Sequence, residues 1–104
     1  MTTLNQTFAA LSDETRRAIV ARLASGETPL SALAEPFDMS LTAVSKHVRV
    51  LSDAGLVTVR KEGRTRYCML QADPMRDAID WLEAYRIFWE DQFGALSRYL
   101  SKDS

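Results

Sequence analysis

Thr42, Ala43, Ser45, Lys46 and Arg49 lie opposite an apolar row formed by Val44, Val48 and Leu51. The i, i+4, i+7 spacing of that row predicts a helix over about 41–54, with Ser40 as its N-cap and Gly55 as its stop. Small side chains let a backbone approach a surface closely. Hydroxyls and cations donate hydrogen bonds to phosphate oxygens and base edges. A second group, Arg60, Lys61, Arg64 and Arg66, surrounds a Glu62-Gly63-Arg64 turn. The chemistry on offer is donation to an anionic, edge-rich groove, and no bond need be made or broken. Taken singly, each group has a plainer reading. A basic helix face is commonly just solvated, and cations on a hairpin blunt a sheet edge. Their order along the chain is the more specific feature.

The elements that must position these residues are legible from patterning. Leu4 and Phe8 are spaced to form the buried side of a first helix over 2–10, and Ser12 reads as the N-cap of a second over 13–25 that Gly26 ends. Thr28-Pro29 reads as an N-cap and first-turn proline. Leu30, Leu33, Ala34 and Phe37 then make a short apolar stripe, cut by Pro36. Two β-branched or alternating runs over 56–70 predict a hairpin. From 74 to 100 the helical period returns, interrupted at Arg86. A helix of that length spans roughly 40 Å, more than a small domain needs. Trp81, Tyr85 and Phe88 lie beside a row containing Leu82 and Trp89, so two apolar stripes are expected, one for the chain's own domain and one for a partner. The fold class is mainly α with a small β-hairpin wing. It is a single winged helix-turn-helix domain over 1–104, in the order α-α-α-α-β-β-α.

Bulk numbers set the outer limits. The chain has 104 residues, 46% hydrophobic and 26% charged, with net charge −1; such a composition indicates one globular domain. The charge is sorted. Residues 1–40 carry −2, residues 41–67 carry +4 and residues 68–104 carry −3. A basic middle segment fits a nucleic-acid contact surface, although a short chain can sort its charge this way by chance. No paired nucleophile and base, glycine-rich phosphate loop or metal-ligand cluster is visible, so the chain does not read as an enzyme, and no cofactor or metal is expected. No signal peptide or membrane-length apolar run is seen, giving a cytoplasmic expectation.

The run LSALAEPFDMSLTAVSKHVRVLSDAGLVTVRKEGRTRYCML resembles the DNA-binding core of the ArsR-type winged-helix repressors. The strongest matches are S-x-x-x-V-S-K-H-V-x-x-L-x-x-A-G-L-V from Ser40 to Val57 and the wing R-K-E-G-R-x-R-Y. FAALSDETRRAIVARL is similar to the family's opening helices, so the likeness spans about residues 4–70. DPMRDAIDWLEAYRIFWEDQFGALSRYL looks like the last helix of an aromatic-rich subset. The resemblance implies a homodimeric repressor that occludes an inverted repeat in double-stranded DNA. It dimerises through its first and last helices, here Leu4, Phe8, Trp81, Leu82, Tyr85, Phe88, Trp89, Phe93 and Leu96.

The metal-sensing variants are not matched. Their cysteine pair would fall where this chain has Leu30 to Ala34, and the last helix, with Asp77, Asp80, Glu83, Glu90 and Asp91, has no histidine. His47 either contacts the DNA side, orienting the helix or touching a phosphate, or bridges the helix to the core. Cys68 reads as a small buried hydrophobe, although Arg66 on the same strand face offers a route to a reactive thiolate. The aromatic surface of the last helix, with Phe8 and Met75, either packs solid or lines a pocket for a small-molecule inducer. The alternative function is a protein–protein adaptor that kept the winged shape and lost DNA binding.

Overall fold

A computed structural model describes residues 4–102, without the side chains of Trp89, Leu96, Ser101 and Lys102. Expectations at Thr2 and at the side chains of Trp89 and Leu96 lie outside the described set. The elements are α1 (Leu4–Ala10), α2 (Glu14–Leu23), β1 (Thr28–Pro29), α3 (Leu30–Ala34), α4 (Leu41–Asp53), β2 (Val57–Glu62), β3 (Thr65–Leu70) and α5 (Ala72–Lys102). This is the expected order with one short strand added.

Two of the expected caps are corrected. The N-cap of α2 is Asp13, whose carboxylate accepts from the Arg16 N–H at 3.0 Å. Ser12 is already engaged, its hydroxyl donating to the Ala9 carbonyl at the end of α1. Thr28 caps nothing. It lies in β1 and pairs with Cys68, and Pro29 takes the N-cap position of α3 without a side-chain bond. A proline lacks a ladder donor, so a strand containing it belongs at a sheet edge. That is its place here, since the sheet runs β1-β3-β2 and both pairs are antiparallel.

The core forms where the apolar rows of the short helices meet the wing's base. Ile19, Val20 and Leu23 of α2, Leu33 of α3 and Val44, Val48 and Leu51 of α4 are buried with Leu56, Val57 and Cys68. In α1 the buried residues are Thr7 and Ala10. Leu4 is half-buried and Phe8 is 37% exposed, so the expected i,i+4 pair does not form α1's core side. Phe8 instead meets the edge of Trp81 on α5, with ring centroids 5.6 Å apart.

Helix α4 stops in a way that starts the wing. Gly55, at φ 78°, sends its N–H to the Ser52 carbonyl at 3.0 Å, and the Leu56 N–H reaches the Leu51 carbonyl at 2.9 Å. This pair of bonds is a Schellman closure, with Leu51 and Leu56 as its buried apolar contact. The positive φ favours glycine at that position. Helix α5 then leaves the domain. Its 31 residues span about 46 Å at 1.5 Å each. The radius of gyration is accordingly 18.3 Å, against about 13 Å for a compact chain of this length.

Candidate nucleic-acid interface

A groove of about 460 Å³ runs between α4 and the wing. From α4 it is lined by Leu41, Thr42, Ser45, Lys46 and Arg49, and from the wing by Arg64, Thr65 and Arg66. Leu30 and Ser31, at the start of α3, complete the lining. Four cations line this groove and no carboxylate does. Ser40 holds the first turn of α4, accepting from the Ala43 N–H at 3.1 Å. The buried row Val44, Val48 and Leu51 fixes which face of α4 turns outward. The groove's chemistry therefore follows directly from the helix's patterning.

The structure thus brings together six of the expected residues: Thr42, Ser45, Lys46, Arg49, Arg64 and Arg66. Ser40 and Ala43 lie at the helix start, outside the lining, and Lys61 is exposed on the wing. Arg60 is directed elsewhere. Its Nη2 donates to Glu27 at 2.8 Å, its Nη1 to Glu62 at 2.6 Å, and its guanidinium carbon sits 4.6 Å over the Tyr67 ring. Leu30, Ser31, Leu41 and Thr65 are lining residues that the sequence reading missed. Thr65 was detectable, standing between two wing arginines. Leu30 and Ser31 depend on how α3 packs on α4, and nothing local announces that.

His47 faces α2 rather than the groove. Its Nδ1 lies 3.7 Å from the Asp13 carboxylate and 3.4 Å from Arg16 Nη1. Arg16 also donates to the carbonyls of Ala10 and Ala9, at 2.5 and 3.3 Å. One guanidinium thereby satisfies the Ala10 carbonyl at the C-terminus of α1, adds to the Ser12 bonds on the Ala9 carbonyl, and touches α4. Of the two readings of His47, this geometry fits the bridge.

The Arg16 backbone N–H, followed by the His47 and Arg16 charges, holds the Asp13 carboxyl below its ordinary value of 3.8. A lowered folded-state value means the stabilisation is complete above the ordinary carboxylate range and lost as pH falls through the lowered value. Asp13→Asn keeps a capping oxygen but cannot titrate. Wild type should be the more stable at neutral pH, with the two converging below about pH 4. Urea midpoints measured across pH check this, and parallel curves would contradict it.

Cys68 is fully buried on the central strand, and burial pushes its thiol up. That geometry fits the buried-hydrophobe reading and removes the argument for a thiolate stabilised by Arg66. Among the described residues, no group of three or more His, Cys, Asp and Glu is placed to hold a metal ion. No described helix is long and apolar enough to cross a membrane.

On α5, taking 100° per residue and Ala78 as the inward reference, Trp81, Leu82, Tyr85, Phe88, Phe93, Tyr99 and Leu100 fall within one arc of about 140°. The two stripes expected from sequence are a single broad one. Its first half packs on the chain's own domain, where Ala78 is buried and Trp81 meets Phe8 and Tyr85. Its second half runs beyond that domain, and Phe93 is 65% exposed. Arg86 borders the arc and pairs with Glu83 at 3.0 Å and Glu90 at 3.7 Å, which accounts for the break in apolar periodicity.

Residues 11–60 match a helix-turn-helix domain family. The chain is 32% identical over 79 residues to the transcriptional repressor SdpR of Bacillus subtilis, covering 76% of this chain and 88% of that one. It is similar to the crystal structure of an ArsR family transcriptional regulator, with TM-score 0.76 and 39% identity over 86% of this chain and 97% of the other. It is also similar to a homodimeric winged helix-turn-helix DNA-binding domain from Mycobacterium bovis, a possible ArsR-family regulator. There the TM-score is 0.65 and the identity 28%, over 78% of each chain. With the groove, the wing and these likenesses in place, the chain belongs to the ArsR family of winged helix-turn-helix transcriptional regulators.

Proposed function

We propose that this protein is a cytoplasmic homodimeric repressor that binds a short inverted repeat in double-stranded DNA and blocks polymerase access to a promoter. The observation that carries the reading is the groove with Lys46, Arg49, Arg64 and Arg66 and no carboxylate in its lining. Phosphate contacts supply affinity and register, while side chains at base edges supply specificity. Arg49 and Lys46, on the outward face of α4, are assigned to the major groove. Arg64 and Arg66 are assigned to the flanking backbone. An adaptor that had given up DNA would have no need of such a groove.

Two-fold pairing follows from α5. The apolar arc continues past the domain that its first half covers, and a second copy offers the same arc in return. The similar Mycobacterium bovis domain is homodimeric. Two reading helices related by that symmetry would enter major grooves ~34–36 Å apart.

The test is selection of bound sequences from genomic DNA, followed by affinity measured against salt. Two protomers present twice the four groove cations. With Arg64 and Arg66 of both protomers on phosphates, affinity should fall by roughly 10²-fold between 50 and 200 mM salt. Arg49→Ala should cost ~1–3 kcal/mol per site and relax the preference at its base pair. Unchanged affinity in both Arg49→Ala and Lys46→Ala would count against the assigned face.

A further inference from the structure

The wing hairpin has little apolar packing to set its angle. Beyond Val57 every residue of β2 is exposed, and β1 pairs with β3 only at Thr28–Cys68 and Pro29–Tyr67. A two-stranded hairpin is marginal on its own. Yet Arg64 and Arg66 must stay over the groove if they are to contact a backbone there.

Arg60 occupies the stem of that hairpin, opposite Tyr67 in the β2–β3 register. Both ends of its guanidinium fork are spent on protein carboxylates, and one face is spent on the Tyr67 ring. The contact with Glu27 is the informative one. Glu27 lies between α2 and β1, 33 residues earlier in the chain. The pair therefore ties the wing stem to the scaffold that carries α3 and α4. The planar fork of arginine suits this role, because two carboxylates and a ring can be held at once, which a lysine ammonium does less well. For Arg60 to reach a phosphate it would have to leave both carboxylates, and a phosphate near it would face Glu27 and Glu62.

We propose that Arg60 is a positioning residue: with Glu27 it braces the wing so that Arg64 and Arg66 stay over the groove, and it makes no phosphate contact itself. This rests on the DNA-binding reading above. The Arg60 and Glu27 side chains are 51% and 33% exposed, so the effect is modest, about three-fold in affinity.

The test compares Glu27→Gln, Arg60→Ala and Arg60→Lys with wild type on the selected DNA fragment across a range of salt. Each variant should bind about three-fold more weakly, with the salt slope unchanged. In an Arg64→Ala, Arg66→Ala background, Glu27→Gln should have no further effect, because the brace then has no cations to place. A general loss of fold stability would not vanish in that background. In the free protein, amides of the distal wing should exchange about three-fold faster in Glu27→Gln.

A phosphate-contacting Arg60 predicts the opposite pattern. Glu27→Gln would tighten binding, Arg60→Lys would keep most affinity, and Arg60→Ala would lower the slope by about 0.9 per protomer. Any of these, or unchanged amide exchange, overturns the proposal. If wild type itself shows no steep salt dependence, the DNA reading fails separately, and the exchange measurement, made without DNA, still decides whether the brace exists.

Discussion

Phe93→Asp should convert the protein to a monomer at micromolar concentration and weaken operator binding by roughly 10²–10⁴-fold. Phe93 lies in the apolar arc of α5, in the half that extends past the chain's own domain, and is 65% exposed. A carboxylate there leaves the single domain's core untouched but would be buried against apolar surface in a pair, which is costly. The affinity loss comes from lost linkage. A dimer engages its second half-site intramolecularly, whereas a monomer must bind each one afresh. Ile87→Asp is the matched control. Ile87 is equally exposed at 60% but projects from the opposite side of α5. It should leave both the dimer and the affinity intact. Sedimentation with parallel DNA titrations reads both variants. If Phe93→Asp stays dimeric, or if Ile87→Asp dissociates just as readily, the pairing face is wrongly assigned.

The second large effect is on stability. Leu51→Ala should destabilise the fold by ~2–5 kcal/mol, because Leu51 is fully buried where α4, α2 and the wing base meet. The thermal midpoint should drop by roughly 10–30 °C. Val50, its neighbour on the same helix, is 41% exposed. Val50→Ala should change stability by no more than about 0.5 kcal/mol. Similar costs at the two positions, measured by chemical denaturation, would contradict the rotation of α4 that turns Lys46 and Arg49 outward.

That rotation was the part most legible in the sequence. Val44, Val48 and Leu51 repeat at helical spacing within a helix of thirteen residues, long enough for periodicity to speak. Ser40 and Gly55 bracket it with cap chemistry that depends only on near neighbours. The wing was legible for the same reason, since its two strands alternate around a glycine turn. Features set by distant residues were not. β1 is two residues long and exists because Thr28 finds Cys68 across the sheet. The engagement of Arg60 depends on Glu27, which looks like an ordinary loop acid in one dimension. Likewise His47 carries no mark of which side it faces until α2 packs against α4 and brings Asp13 and Arg16 to it. The first helix was read from Leu4 and Phe8, yet its packing against α5 draws Phe8 outward to Trp81 and buries Thr7 and Ala10 instead. In each case a tertiary partner overrode a local pattern.

The closure at Gly55 bears on how this protein can change over time. The bond from Leu56 to Leu51 ends the helix and, in the same residue, begins the hairpin, while the Gln71 N–H returns to the Leu56 carbonyl at 2.8 Å. No slack chain separates the two. Length variation in such a lineage should therefore gather at the outer turn around Gly63, where an added residue merely lengthens a loop. At the Gly55 junction even one inserted residue would swing the hairpin relative to the helix and uncouple their spacing on DNA. Binding preferences can then drift by exchange of side chains on a frame whose dimensions are held constant.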